Sequence, residues 1–365
     1  MDEKGNYDYF TIKEINEEPK TVENSLKEKE NVEKIVSQLG DIERICFVAC
    51  GTSYHASLVG KYLIEELIGI PTEVIIASEF AHSVNTLTKN TLSVFISQSG
   101  ETADSLEALK LAKEHCKTLS IVNVANSTLA NEVNYTINTF AGSEIGIAAT
   151  KSYISQLICI YLFVAYLAKN NNENDGIEIF ERIMNSLDNL KQFIEEILPI
   201  EEEIKEIAEK YKDVNSFFFL ARGLSYPTAM EGSLKLKEIS YIHAESYAGG
   251  EFRHGPIALI EKGVPVVVVI PKDKDNEMYN DYDKSLRVLK EVKSRGGDVI
   301  AIGRCDDEKL KSESTELICL NEKIDPIISP LTYVVPLQLL AFHISLAKGL
   351  DPDNPKNLTK CVAND

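Results

Sequence analysis

The sequence predicts an α/β protein of two tandem αβα domains, each a mostly parallel sheet covered by helices on both faces. Three observations carry this prediction. Short apolar segments typical of buried strands alternate with segments of helical periodicity along most of the 365-residue chain. Two four-residue motifs recur at one fixed offset in the two halves. Apolar residues make up 44% of the chain, enough for the cores of two ordinary domains.

The first half begins with a charged, amphipathic lead-in over residues 7–35, which we expect to be helical. The strands that follow are continuous apolar runs, and such runs imply a parallel sheet covered on both faces. A long helix at about 150–168 closes this half. Its longest apolar run, 157–168, is shorter than the ~20 residues that span a bilayer, so we expect a buried core or interface helix and no membrane partner. The predicted strands are 44–50, 73–78, 92–97, 119–124 and 135–140.

A polar, glycine-terminated stretch at 169–176 is typical of a linker between domains. A long helical stretch at 177–211 then leads into a second series of strands and helices. The predicted strands of this series are 216–222, 264–271, 298–303 and 315–320, and its helices are 226–242, 279–295 and 331–349. The predicted domains are a helical lead-in (1–35), a first domain (36–176), a second domain (177–350) and a C-terminal tail (351–365).

The two halves share motifs at equivalent places. G-x-S-Y occurs at 51–54 and 223–226, each time after an apolar strand, and E-F-x-H occurs at 79–82 and 251–254. Positions 51 and 223, like positions 79 and 251, are separated by 172 residues. Two matches at one offset indicate the internal duplication of one αβα unit, with a period too long for a solenoid repeat.

The composition limits the classes of partner. The formal net charge is −19, which argues against nucleic-acid binding because that needs lysine and arginine to displace counterions. Seven cysteines are scattered, without a C-x-x-C pair or a Cys/His cluster of zinc spacing. The start of the sequence lacks the apolar segment of a signal peptide. We expect reduced thiols, a cytoplasmic location, no metal and no nucleic-acid partner.

The segment Ser97–Thr102 (Ser-Gln-Ser-Gly-Glu-Thr) lies where a predicted strand gives way to a predicted helix. Hydroxyls, backbone N–H groups and the positive end of a helix meet there, which is typical of an anion site, most often for phosphate. An ordinary Ser-rich helix cap is the alternative. The segment lacks the nucleotide P-loop ending and the G-x-G-x-x-G fingerprint, which favours a phosphorylated small molecule over ATP or NAD. Cys50–Ser53 follows another predicted strand, and we expect it at the same sheet edge.

The second half of the sequence has no counterpart of this turn. It carries groups suited to acid–base chemistry. Glu231, Lys235 and Glu238 fall on the predicted helix 226–242, where a solvent-exposed i,i+3 ion pair is the alternative interpretation. The following segment is rich in acids and aromatic residues and ends at His254-Gly-Pro. A carboxylate and an imidazole in one cleft suit general acid–base chemistry at neutral pH. We assign four other histidines to the surface or the core: His55, His82, His115 and His343.

Several segments together resemble the isomerase half of the glucosamine-6-phosphate synthase family, the glutamine–fructose-6-phosphate aminotransferases (isomerizing), which is built from paired SIS (sugar isomerase) domains. The resemblance runs in the family's order from about Tyr7 to the C-terminus, so it is more specific than one motif. The composition of residues 357–365 alone predicts a frayed C-terminal end. The resemblance includes this segment, and we follow it instead of that prediction. The segments are 50–53, 97–104, 144–146, 149–151, 231–240, 250–256 and 357–360.

The resemblance implies a reaction of fructose 6-phosphate with ammonia that yields glucosamine 6-phosphate and needs no cofactor. It implies that His254 opens the sugar ring from the neighbouring subunit of a homodimer, and that Lys360 forms a Schiff base with the C2 carbonyl. Glu238 would move a proton between C1 and C2 with the help of Lys235, while the tail closes over the sugar. The residues implied to bind the substrate are Cys50, Gly51, Thr52, Ser53, Ser97, Gln98, Ser99, Thr102, Ile147 and Thr359.

Departures from the family leave three functions open. The sequence has no counterpart of the glutaminase domain of the family's larger members, since Asp2 stands where their catalytic cysteine follows the initiator methionine. We therefore expect no glutamine hydrolysis, with ammonia supplied freely or by a separate glutaminase. Ala149 replaces a common serine, and the tail ends Cys-Val-Ala-Asn-Asp, which bears on ammonia delivery and sugar selectivity. The alternatives to the synthase are a glucosamine-6-phosphate deaminase or fructosamine-phosphate deglycase, and a non-catalytic sugar-phosphate-binding regulatory module.

Overall fold

The computed structural model describes residues 3–171, 174–272, 282–321 and 323–360. The chain forms two compact units, each with one sheet. Residues of the predicted lead-in fall into both units, and the domain boundaries predicted from the sequence stay a prediction. The first-sheet unit contains Glu17–Glu144, Lys151–Asp188 and Thr359–Asp365, and the second-sheet unit contains Met1–Asn16, Ile145–Thr150 and Asn189–Leu358.

The two sheets have the same topology. The first has the strand order β2-β1-β3-β4-β5, and the second has β7-β6-β8-β9-β10, which is the same order five strands further along the chain. All neighbouring strands are parallel. The strands are β1 Arg44–Ala49, β2 Thr72–Ile76, β3 Thr91–Ser97, β4 Lys117–Val122, β5 Tyr135–Asn138, β6 Ser216–Ala221, β7 His243–Ala248, β8 Pro265–Val269, β9 Asp298–Arg304 and β10 Glu316–Leu320.

Helices flank each sheet, and this confirms the predicted αβα architecture. Two stretches, Lys151–Asn170 and Pro326–Ala347, are long and apolar enough to cross a membrane, but both are entirely buried in the protein, as core helices are. The helices are α1 Phe10–Asn16, α2 Glu18–Ser25, α3 Lys29–Gln38, α4 Gly51–Leu67, α5 Ala103–Ala112, α6 Thr128–Glu132, α7 Lys151–Asn170, α8 Asn174–Ile197, α9 Glu201–Tyr211, α10 Tyr226–Ser240, α11 Tyr282–Ser294, α12 Glu308–Glu313, α13 Ser329–Thr332 and α14 Val334–Ala347.

The repeated sequence motifs adopt the same local structure in both units. Gly51 and Gly223, the first residues of the two G-x-S-Y motifs, have φ values of +54° and +50°. Each E-F-x-H motif lies in a 3₁₀ turn, and its phenylalanine, Phe80 or Phe252, is fully buried. Equivalent sequence, backbone conformation and strand order support the internal duplication.

The strand β7 was not among the predicted elements. It lies at the edge of the second sheet, where it pairs with β6 alone. Of its six residues only Ala244 is buried, so the segment lacks the apolar run by which central strands are recognised.

Much of the predicted linker at 169–176 is helical. α7 continues to Asn170 and α8 begins at Asn174. A Cβ atom on Gly176 would lie 2.2 Å from the carbonyl oxygen of Ala168, so this glycine allows two chain segments to approach closely and does not mark a break. The first residues of the predicted helix 279–295 and the end of the tail, 361–365, lie outside the described residues.

Candidate active site

The predicted phosphate cradle lies at the carboxyl ends of β1 and β3, which are adjacent in the first sheet. β2 lies on one side of β1 and β3 lies on the other, so the direction in which successive strands are added to the sheet reverses between β1 and β3. Ligands of open α/β sheets bind at such a reversal. α4 begins two residues after β1, and α5 begins directly after the Ser97–Thr102 turn, so two helix amino ends face this edge.

Hydrogen bonds fix the Ser97–Thr102 turn internally. The backbone N–H of Gly100 donates to Ser97 Oγ at 3.0 Å, and the same oxygen lies 3.0 Å from Thr102 Oγ1. Ser99 Oγ accepts from the backbone N–H two residues further on, at 3.1 Å. The turn is therefore a preformed polar surface. Its half-buried members, which a ligand can reach, are Gln98, Ser99 and Thr102.

The geometry of the Ser97–Thr102 turn requires glycine at position 100. Its φ of +67° belongs to the left-handed region, which disfavours side chains. A Cβ atom at this position would also lie 2.1 Å from Ser127 Oγ. Ser127 is held in place because its hydroxyl oxygen accepts from the backbone N–H of Ala130 at the start of α6. The cradle thus depends on glycine at its centre.

Ser53 connects the cradle to α7. It is buried in the first turn of α4, and its Oγ accepts a hydrogen bond from Gln156 Nε2 at 3.0 Å. The hydroxyl proton of Ser53 thus points away from this bond, where an anion can accept it. Burial raises the pKa of the neighbouring Cys50 thiol, which favours a neutral group over a nucleophilic thiolate. Thr52 is half-buried beside the exposed Gly51.

Lys360 is also part of the first-sheet unit and contacts a buried carboxylate. Its Nζ lies 2.7 Å from Oε2 of Glu144, whose side chain is fully buried, while that of Lys360 is 27% exposed. Ser152, in the first turn of α7, donates to Glu144 from its backbone N–H at 3.0 Å and from its hydroxyl at 2.7 Å. The lysine of the tail is therefore tied to the helix that also contacts Ser53.

A buried cluster of charges lies on α10 in the second-sheet unit. Lys235 Nζ is 2.6 Å from Glu238 Oε2 and 3.3 Å from Glu231 Oε1. Burial opposes the ammonium form, but the two carboxylates outweigh it and raise the pKa of Lys235 above its usual value. In the i,i+3 pair Lys235 is 2% and Glu238 21% exposed, so this is a largely buried pair and not the solvent-exposed one of the alternative interpretation. Lys235 is a permanent cation that holds the carboxylate of Glu238.

Three further predicted residues are more open. His254 is exposed at the end of the 3₁₀ turn Glu251–His254, which buried Phe252 anchors. Thr359 is exposed next to Lys360. Ile147 is half-buried and falls in the segment Ile145–Thr150, which is assigned to the second-sheet unit.

Sequence reasoning assigned no role to Glu144, Ser152 or Gln156. Hydrogen bonds between residues far apart in the chain leave no local pattern. One signal was available, because the polar residues Ser152, Ser155 and Gln156 recur at helical spacing in the first turns of a mostly apolar helix, which indicates one polar stripe. Among the residues that the structure describes, no group of three or more His, Cys, Asp or Glu is arranged to hold a metal ion.

Comparison with known families and proteins identifies the family of this fold. The model of the SIS domain family matches residues 38–166 and 210–348. The chain is 52% identical over 362 residues to the glutamine–fructose-6-phosphate aminotransferase (isomerizing) of Methanothermobacter thermautotrophicus. That alignment covers 99% of this chain and 58% of the relative, so the chain spans less than two thirds of the relative's length.

Solved structures show the same fold. The C-terminal domain of glucosamine-fructose-6-phosphate aminotransferase from Francisella tularensis is 37% identical with a TM-score of 0.88, covering 97% of this chain and 100% of that one. A glucosamine-6-phosphate deaminase from Thermotoga maritima is 26% identical with a TM-score of 0.73, again covering 97% and 100% of the two chains.

Proposed function

The chain belongs to the SIS domain family, and from this premise we propose that it converts fructose 6-phosphate and ammonia to glucosamine 6-phosphate. The observation that carries the proposal is the contact of Lys360 with buried Glu144, in the same unit as the hydroxyl-lined cradle. Imine chemistry on a phosphorylated ketose requires an amine in reach of a phosphate site. The similarity to aminotransferases and to the F. tularensis domain supports the same reaction.

In the proposed mechanism the cradle binds the phosphate through hydroxyls, backbone N–H groups and two helix amino ends. His254 opens the sugar ring and exposes the C2 carbonyl. The amine of Lys360 adds to C2, and loss of water gives an imine. The imine makes the protons of C1 more acidic than those of the free ketone.

Ammonia then adds to C2 and displaces Lys360, which returns to the free amine. Glu238 removes a proton from C1 of the protonated imine and returns it to C2, while the C1 hydroxyl loses its proton to water. The imine thereby becomes an amine and C1 becomes an aldehyde. Lys235 holds the Glu238 carboxylate in one orientation throughout, since it contacts Glu238 at 2.6 Å. The mechanism uses side chains and water to move protons and a side chain to form the imine.

The partners belong to the same proposal. The enzyme is a homodimer in which His254 of one subunit serves the sugar bound by the other. Its ammonia comes as free ammonium or from a separate glutaminase, and it works in the cytoplasm.

Two other functions are distinguishable from the synthase. A glucosamine-6-phosphate deaminase, or a deglycase of fructosamine phosphates, uses the same groups in the opposite direction, and the similarity to the T. maritima deaminase favours it as second candidate. A non-catalytic regulatory module needs neither Glu238 nor His254 nor Lys360. The presence of all three in one chain disfavours it.

The test is to incubate the purified protein with fructose 6-phosphate and ammonium, and separately with glucosamine 6-phosphate alone. The synthase forms glucosamine 6-phosphate in the first reaction. Ammonia released in the second without amino sugar in the first favours the deaminase. Binding of both sugar phosphates without turnover favours the regulatory module.

Glu238→Gln tests the assigned proton transfer. We expect turnover to fall by about 10²–10⁴, the usual contribution of a general base, because the amide cannot accept the C1 proton. Binding of sorbitol 6-phosphate, which has no carbonyl, should stay near the wild-type value. Glu245→Gln on β7 is the matched control and should keep full turnover. Equal loss of binding and turnover in Glu238→Gln contradicts the assignment.

A further inference from the structure

We propose that Glu144 orients Lys360 and exchanges a proton with its amine during imine formation, an inference that rests on the proposed function. The amine of Lys360, which the proposed mechanism assigns to imine formation, lies 2.7 Å from a carboxylate oxygen of Glu144. A lysine that carries a proton has no lone pair with which to attack a carbonyl. A group that takes this proton within the closed site is therefore needed, and Glu144 is in place to do so.

The geometry of Glu144 is fixed by its other contacts. Ser152 donates to Oε1 from the backbone and to Oε2 from its hydroxyl, so neither oxygen can rotate away without losing a hydrogen bond. The side chain is fully buried, where an unpaired carboxylate is costly. Lys360 also donates to this carboxylate and keeps 27% of its own side chain exposed.

Helix α7 contacts both parts of the candidate site in the first-sheet unit. Ser152 contacts Glu144, and Gln156, one helical turn later on the same face, contacts Ser53. The carboxylate that holds the amine and a hydroxyl of the cradle are therefore both bound to one face of one helix.

A helix cap alone does not account for Glu144. The contacts with Ser152 satisfy donors at the start of α7, and uncharged residues do this as well as a carboxylate does. The negative charge is explained by the ammonium group of Lys360. By contrast Lys235 lies between two carboxylates and is almost fully buried, so it is not free to reach a carbonyl.

The proton balance of the step is closed. Glu144 takes a proton from the Lys360 ammonium group, and the neutral amine adds to C2 to give a carbinolamine. The carboxylic acid of Glu144 then protonates the carbinolamine hydroxyl, which leaves as water while the nitrogen lone pair forms the C2–N double bond. The products are a protonated imine and the Glu144 carboxylate, which are again paired.

The experiment compares imine trapping with binding in Glu144→Gln. The amide keeps the size of the side chain and can accept the Ser152 backbone N–H, but it cannot take the proton. We expect borohydride trapping of fructose 6-phosphate on Lys360, followed by peptide mass spectrometry, to slow by about 100-fold at pH 7. Binding of sorbitol 6-phosphate should change by less than about threefold, since the phosphate contacts stay in place.

Two controls separate chemistry from structure. Glu17→Gln removes the carboxylate that contacts Lys151 at 2.6 Å, also at the start of α7, and should trap at the wild-type rate. Glu144→Asp keeps the charge and should recover part of the trapping rate, which also keeps the test decisive if Glu144→Gln does not fold.

Trapping of Lys360 at the wild-type rate in Glu144→Gln overturns the inference and leaves the proposed function intact. A parallel loss of sorbitol 6-phosphate binding also overturns it, because Glu144 is then structural. A wild-type protein that turns over fructose 6-phosphate and ammonium without any trapped Lys360 removes both the Schiff base and this role of Glu144. A wild-type protein without turnover overturns the proposed function itself.

Discussion

Lys235 and Lys360 differ in what surrounds the ammonium group. Lys235 lies between Glu231 and Glu238 and is 2% exposed, whereas Lys360 contacts Glu144 and keeps 27% of its side chain exposed. A lysine between two carboxylates favours its ammonium form and serves to orient them. A partly exposed lysine can exchange its proton and meet a carbonyl. A lysine side chain can therefore either orient carboxylates or react with a carbonyl, and the groups around it decide which of the two it does.

The methyl group added by Gly100→Ala should impair ligand binding by the cradle. The left-handed backbone alone costs an alanine about 1–2 kcal/mol. The contact of 2.1 Å between the added Cβ and Ser127 Oγ adds to this and forces the turn to move. We expect Gly100→Ala to lower the free energy of unfolding and to weaken sorbitol 6-phosphate binding more than about tenfold, because the displaced N–H groups no longer converge.

Gly69→Ala is the control for backbone strain. Gly69 has a similar φ of +76°, but a Cβ atom there meets nothing within 4 Å. This variant should lose about 1 kcal/mol of stability and bind the ligand like the wild type. Chemical denaturation and calorimetric titration measure the two effects. Equal binding losses in both variants would contradict the role of the Gly100–Ser127 contact.

Among the elements, α14 places one titratable side chain in an apolar helix. His343 is 5% exposed, and its Nε2 lies 3.0 Å from Glu201 Oε1 at the start of α9. Burial, reinforced by Lys205, lowers the pKa of His343 below 6.5, against the opposing effect of Glu201 and Glu202. Near pH 6, His343 is therefore protonated to a larger extent in the unfolded chain than in the folded one. Folding stability must fall as the pH drops through 6.5.

His343→Gln should remove this part of the pH dependence. We expect the wild-type melting temperature to fall between about pH 8 and pH 5.5 more steeply than that of the variant, with at most about 1.4 kcal/mol per pH unit for one proton. Thermal melts across this range measure the difference. His115→Gln, at an exposed position, should leave the slope as it is. Identical slopes for the wild type and His343→Gln would refute the assignment.

The sequence was most informative where elements are buried on both faces. β1 and β3 are mostly apolar and almost entirely buried, so the sequence predicted both within a residue or two, and the polar turn after β3 stood out for that reason. β7 was missed because an edge strand needs no apolar run. The contact of Lys360 with Glu144 joins residues 216 positions apart and was beyond any local pattern. Resemblance to a family indicated that the tail lysine matters, but not what holds it.

At the scale of the whole molecule, the two copies of the duplicated unit carry different polar groups: one has the hydroxyl turn and the other has the charged cluster and His254. Both units keep the strand order and the glycine after their first strand, yet hydroxyls follow β3 whereas Pro271 and Lys272 follow β8. The copy that keeps the hydroxyl turn suits anion binding. The other copy carries the buried acid–base cluster on α10 and the exposed His254.

Subunit mixing tests the proposed donation of His254 across a dimer. His254→Asn and Glu238→Gln should each be inactive as homodimers. After subunit exchange, half of the dimers are mixed, and each holds one complete site, so about a quarter of the wild-type activity should return. Activity assays before and after exchange measure this. If no activity returns although mixed dimers form, His254 acts within its own chain.

The path of the chain has one more consequence. The polypeptide passes from one compact unit to the other between residues 16 and 17, 144 and 145, 150 and 151, 188 and 189, and 358 and 359. A cut at any of the middle three of these places leaves segments of both units in each fragment. The boundary between the duplicated halves of the sequence therefore does not coincide with the boundary between the compact units.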